Sequence, residues 1–297
     1  MRYTLKNDAL TVAVDSHGAE LRSIKDNRTG REYLFQADPV YWNRTSPVLF
    51  PFVGGTKEKT YYYNGVKYEA RQHGFARDTE FTLVSQTETE LWLQMRDSDE
   101  TRANYPFAFT LGLGYRLTGN TLTVLWNVTN DGGETMHFSI GGHPAFRCDL
   151  NACGLRFEKE GKPASEIVSG VLEMNGSNCL SKNTKSFSLV NGVLPLSPAL
   201  FDEDALILEN RQADAVTLLD AAGRDVLTVA FDAPLFGVWS PTGKNAPFVC
   251  IEPWYGRCDS ADFSQKLEEK AYSTALAPGE AFAAAYRVII QDAPAEA

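Results

Sequence analysis

The feature that most narrows what this chain can fold into is a period of two. Apolar and polar residues alternate along most of its length, and two-residue turn signals separate the alternating runs. Successive side chains of an extended strand point to opposite faces, so this pattern specifies strands with one buried face. Asn64-Gly65 lies between Tyr61–Tyr63 and Val66–Tyr68, the strongest short hairpin signal a sequence offers. Asn7-Asp8 separates Arg2–Lys6 from Leu10–Val14, and Gly119-Asn120 separates the long runs Phe107–Leu117 and Thr121–Thr129. Phe81–Ser85 pairs with Leu91–Met95, and Pro278-Gly279 precedes a last strand at Tyr286–Ile290. Further apolar runs include Ala215–Asp220, Val226–Phe231, Phe236–Ser240 and Phe248–Ile251. About twenty short strands joined by tight turns predict an all-β fold, a large antiparallel sandwich or barrel.

Helix signals are few. Asp259 is placed to cap a short helix through Asp262–Lys270, and Thr101–Tyr105 suits one helical turn. Strands do not alternate with helices, which argues against a doubly wound nucleotide-binding sheet. No linker, fixed-period repeat or break in composition divides the sequence, so a single domain over 1–297 is expected. The polar, Ser/Asn-rich stretch Gly161–Lys185 is predicted to be a surface excursion.

Composition removes several function classes. Lys and Arg number 28 against 38 Asp and Glu, a net charge of −10 with no basic run. Such a chain lacks the footprint of a nucleic-acid binder or of an anionic-membrane anchor. No apolar run reaches the ~18 residues of a membrane-spanning helix. Met1–Lys6 leads straight into a strand pattern without a signal-peptide core. The five cysteines are an odd number and too sparse for a disulfide framework, so a cytoplasmic location is expected. There is no Gly-rich phosphate loop, no Gly-x-Ser-x-Gly elbow, and no Cys or His spacing that points to a metal.

Two of the four histidines lie in unusual surroundings. His73 stands in Gln72-His73-Gly74-Phe75-Ala76-Arg77, and His143 in Gly141-Gly142-His143-Pro144-Ala145-Phe146. Gly before and Pro after His143 end a strand and display the imidazole at its edge. Imidazole titrates close to neutral pH and suits proton transfer. The alternative for either one is a hydrogen-bonded structural histidine. Glu252 follows the apolar run Phe248–Ile251 and precedes Pro253-Trp254-Tyr255. A carboxylate at the end of an apolar strand is not a solvated surface charge, and burial would make it a better base. The alternative is a structural carboxylate held by Arg257. Tyr41-Trp42, Phe75, Phe146, Trp239 and Trp254-Tyr255 gather near these positions, and aromatic faces pack against the C–H faces of sugars. Arg44 lies between an aromatic pair and an apolar run, and Asp204 follows Asp202-Glu203.

At these residues the sequence resembles the aldose 1-epimerase (galactose mutarotase) superfamily, and within it the LacX-like branch. The matching segments are Tyr41–Gly55, Tyr63–Tyr68, Gln72–Asp78, Gly142–Phe146, Phe201–Leu208 and Ile251–Gly256. The resemblance implies a galactose mutarotase-like supersandwich and cofactor-independent, metal-free interconversion of sugar anomers. It makes His143 the general acid and Glu252 the general base, on either side of a pyranose. It gives substrate contacts to Arg44, His73 and Asp204, with Asp202 as the other possible acid. Arg77 is a further contact, suited to an anionic substituent. A hexose-6-phosphate epimerase and a non-catalytic carbohydrate-binding protein of the same fold are the alternatives. The expected partner is a monosaccharide or sugar phosphate. His17 and His137 carry no expected role.

Overall fold

The computed structural model describes residues 1–173 and 175–291. Position 174, inside the expected Gly161–Lys185 excursion, and positions 292–297, at the end of the expected domain, lie outside the described residues. Among the described residues every ladder between strands is antiparallel. Among the described residues a ten-stranded sheet runs from the Lys162–Pro163 edge to the Thr82–Gln86 edge, with Ala281–Ile290, Thr121–Asn130 and Phe109–Thr118 near its middle. An eight-stranded sheet runs from Leu180–Ser188 through Glu166–Leu172, Leu206–Leu208, Leu235–Trp239, Phe248–Tyr255 and Ile140–Gly142 to Val48–Leu49.

The two sheets pack against each other through large aromatics. Trp126 meets Tyr255 at 6.2 Å between ring centroids, and Phe231 meets Phe236 at 5.0 Å. One buried hydrophobic cluster collects residues from Leu5 to Ile290. Alternation explains which side chains enter it. Along Phe248–Tyr255, Val249 and Ile251 join that core, whereas Phe248, Cys250 and Trp254 belong to two smaller clusters. Leu206 and Leu208 likewise face the core, while Ile207 faces away from it. The eight-stranded sheet is therefore covered on both sides. Its far face, under the loops, is where Glu252 points.

Several expectations need correction. The Phe248 strand does not stop before Glu252 but continues through Pro253 to Tyr255. The helix expected over Asp262–Lys270 is only a 3-10 turn at Leu267–Glu269. Gly161–Lys185 contains the strands Lys162–Pro163, Glu166–Leu172 and the start of Leu180–Ser188. The helical turn near Thr101 is present as Asp99–Asn104, opened by a capping box between Ser98 and Thr101.

Candidate active site

Glu252 sits mid-strand, opposite Gly237. A Cβ on Gly237 would lie 2.4 Å from the Trp254 ring, so only glycine lets that indole lie across the neighbouring strand. Trp254 thereby forms a wall beside Glu252, two residues along on the same face. Glu252 is 1% exposed, and neither carboxylate oxygen has a hydrogen-bond partner. Burial first, and then the Asp204 charge, push its carboxyl well above the usual range. Arg257, the partner considered for a structural role, bonds Glu209 at 2.8 Å instead.

His143 follows the short strand Ile140–Gly142 and is fixed by its amide, which donates to the Pro47 carbonyl at 3.1 Å. Its ring lies at 31° to Trp42, 4.8 Å between centroids, and edge-on to Trp239 at 5.3 Å. Its Nε2 comes within 3.3 Å of Glu252 Oε2, while Nδ1 has no partner. Burial, and then the positive charge of Arg77, push the imidazole down to about 3. The acid and base expected on either side of a pyranose are thus in contact.

His73 occupies the third position of a turn closed by the Gly74 amide donating to the Arg71 carbonyl at 2.9 Å. Its φ is +64°, and Gly74 follows at +69° with no room for a side chain, since a Cβ would lie 2.2 Å from the Phe50 oxygen. His73 Nδ1 accepts the Gly54 amide at 3.2 Å, which leaves its proton on Nε2 as a donor. Burial, followed by the neighbouring His143, Arg77 and Arg44, holds this imidazole well below its ordinary value, so it is neutral. The two histidine rings are 5.6 Å apart.

Asp204 rather than Asp202 reaches the cavity. Asp204 has φ +71°, which turns its half-buried side chain inward, while Asp202 is exposed. Burial raises the Asp204 carboxyl, against Trp239 and the Ala205 amide, which favour its charged form. Arg77 lines the cavity; Nη2 donates to the Gln72 carbonyl at 2.9 Å and its buried Nε has no hydrogen-bond partner. Arg44 stands one layer back. Its Nη2 bonds Asp78 at 2.6 Å and its Nη1 the Arg77 carbonyl at 3.4 Å, so it does not line the cavity. Its charge still bears on His73 and His143. His17 pairs with Glu80 at 3.7 Å, and neither His17 nor His137 borders the cavity.

These side chains enclose a cavity of about 240 Å³. That is smaller than the roughly 300–1,000 Å³ of pockets for drug-sized ligands and suits a single small ring. Several lining residues had no sequence signal, Leu172 and Asn178 among them. Asn178, with φ +54°, belongs to the stretch read as a surface excursion, and its Cβ packs where a Cβ on Gly55 would come within 2.9 Å. Turn-favouring Asn is common on loops, so type and position alone could not place it here.

Comparison with known proteins bears on the family and the fold. Lactococcus lactis subsp. lactis holds a plasmid-borne relative, Protein LacX, 34% identical over 98% of this chain and 99% of its own length. The crystal structure of a galactose mutarotase related enzyme from Lactobacillus acidophilus superposes with a TM-score of 0.92 at 34% identity, covering 98% of each chain. A galactose mutarotase-like protein from Lactobacillus casei gives 0.90 at 28% identity, over 98% of this chain and all of the other. The profile described as Aldose 1-epimerase matches residues 1–288, a span that includes Arg44, His73, Arg77, His143, Asp204 and Glu252, and on that match the chain belongs to the aldose 1-epimerase family.

Proposed function

We propose that this protein is a sugar 1-epimerase, interconverting the α and β anomers of an aldose by opening and reclosing the ring. The observation that carries the reading is the Glu252–His143 contact, 3.3 Å long and buried, at the edge of a cavity sized for one sugar. A carboxyl pushed up by burial beside an imidazole pushed down by burial sets a proton donor next to a proton acceptor, which is what an acid–base step requires.

Burial favours the neutral form of each group, so the proton starts on Glu252. A sugar hydroxyl donating to the carboxylate stabilises its charged form, and the proton then passes to His143. Glu252 takes the proton from the C1 hydroxyl as His143 delivers one to the ring oxygen. The C1–O5 bond breaks, the aldehyde rotates about C1–C2, and closure on the other face reverses both transfers. His73 donates from Nε2 toward the ring oxygen or a neighbouring hydroxyl. Asp204 and Arg77 bond further hydroxyls, with Arg44 reinforcing the positive side through Asp78. Trp42, Trp239 and Trp254 provide flat apolar faces. We assign the reaction to the cytoplasm, where the five free thiols stay reduced, and to the whole chain acting as one domain.

A second reading, a phosphorylated aldose as substrate, is favoured by Arg77 on the cavity wall, whose buried Nε makes no hydrogen bond and only a 3.8 Å ion pair with Asp78. The test follows optical rotation of freshly dissolved α-glucose, α-galactose and their 6-phosphates. At least one should relax faster with protein than in buffer, and the fastest names the class. Relaxation at the buffer rate for all, with sugar still bound, would leave a binding protein.

A further inference from the structure

Cys250 is a group that proton transfer does not use. It precedes Glu252 by two residues on one strand, so the pleat turns its thiol to the same face. It is fully buried in a cluster with Phe35 and Phe248, against which Trp42 and Trp239 pack. One donor atom from each of His143, Cys250 and Glu252 lies within 4.8 Å of the other two. Both Glu252 oxygens and His143 Nδ1 lack hydrogen-bond partners, although these side chains are 1% and 8% exposed. Unsatisfied buried polar atoms are costly, and the two Glu252 oxygens beside His143 Nε2 mark a place able to receive a ligand.

We propose that His143, Cys250 and Glu252 form a binding site for one thiophilic divalent cation of the zinc type, and that its occupancy switches the isomerase off. An imidazole, a thiolate and a carboxylate form a donor set that zinc accepts, and His143 and Glu252 both border the cavity. The sulfur selects against magnesium and calcium, which prefer oxygen. Binding releases the Cys250 proton, and the proton held by Glu252, to solvent. The lone pairs that would move protons on the sugar are then held by the metal. No sequence spacing announces the site, because one ligand comes from a loop and two from alternate positions of a strand. The inhibitory half of this inference rests on the proposed activity; the binding half does not.

The experiment titrates metal-free protein with Co²⁺ and follows the near-ultraviolet absorption of a cobalt–thiolate bond. One equivalent should give the band, Zn²⁺ should displace the cobalt, and Mg²⁺ should not. Cys250→Ala should abolish the band, with Cys250→Ser as the second variant if alanine does not fold. A Cys148→Ala/Cys153→Ala double variant should keep it. In anomer exchange, Zn²⁺ should inhibit the wild type reversibly. Cys250→Ala should keep its basal rate and need roughly tenfold more Zn²⁺, one of three donors being lost. No band in the wild type, a band that survives in both Cys250 variants, or zinc that binds without slowing exchange would overturn the proposal. If no sugar shows exchange, the catalytic reading fails while the cobalt titration still decides the site.

Discussion

At the scale of single residues, the two central groups are held in states they would not choose in water. An unfolded imidazole takes a proton near pH 6.5, whereas His143 in the fold resists protonation down to about 3. Between those limits the unfolded chain binds the extra proton, so stability falls as pH drops. His73, also displaced downward, acts in the same direction. Glu252 and Asp204, raised by burial, act the other way, so the test is a difference: from pH 7 to 4 the urea midpoint of the wild type should drop relative to that of His143→Asn, which removes one of the two downward-displaced groups. Equal slopes would mean that His143 is not kept neutral by the fold. His143 and Glu252 were legible because each breaks a local rule: an imidazole between Gly142 and Pro144, a carboxylate in an apolar run. The choice of Asp204 over Asp202 was not legible. It turns on a positive φ that three neighbouring acids do not reveal.

At the scale of elements, the wall beside Glu252 depends on close strand-to-strand approach. Gly237→Ala would drive a methyl into the Trp254 ring. It should cost about 1–3 kcal/mol, as overpacking does, and slow anomer exchange by displacing the indole. Unchanged denaturant midpoint and rate would refute that reading of the glycine. A second element-level constraint is the ion pair of Lys270 with Asp259, both nearly fully buried, with Asp259 also accepting the Lys57 amide at 2.8 Å. Lys270→Met would strand the carboxylate and should lower stability by about 3–5 kcal/mol, read from urea unfolding. This pair also explains why Asp262–Lys270 misled: its loose period reflects a segment fixed by one buried charge, not by an apolar helix face. The Leu180–Ser188 strand escaped for the opposite reason. It is an edge strand with most residues exposed, so no buried face imposes alternation. The hairpins around Asn64-Gly65 and Gly119-Asn120, whose strands each bury a face or are closed by a tight turn, fell where the alternation put them.

At the scale of the whole molecule, period-two patterning was enough to give an antiparallel all-β architecture. It was silent on which face of the eight-stranded sheet holds the chemistry, because Phe248–Tyr255 is buried on both sides and reads as a continuous apolar run. Only the sandwich separates Val249 and Ile251, in the core, from Cys250, Glu252 and Trp254 beneath the loops. The same assembly draws Arg44 back onto Asp78 and brings Asn178 forward, neither of which local sequence encodes. The central claim is that one buried carboxyl–imidazole pair moves the protons that open and close a sugar ring. Saturation-transfer NMR of anomer exchange, on the wild type and on folded Glu252→Gln with the best sugar found, tests it most directly. The account predicts enzyme-accelerated exchange in the wild type and a loss of ~10²-fold or more in the variant, the size of a general acid–base contribution. Exchange in Glu252→Gln at the wild-type rate would contradict it.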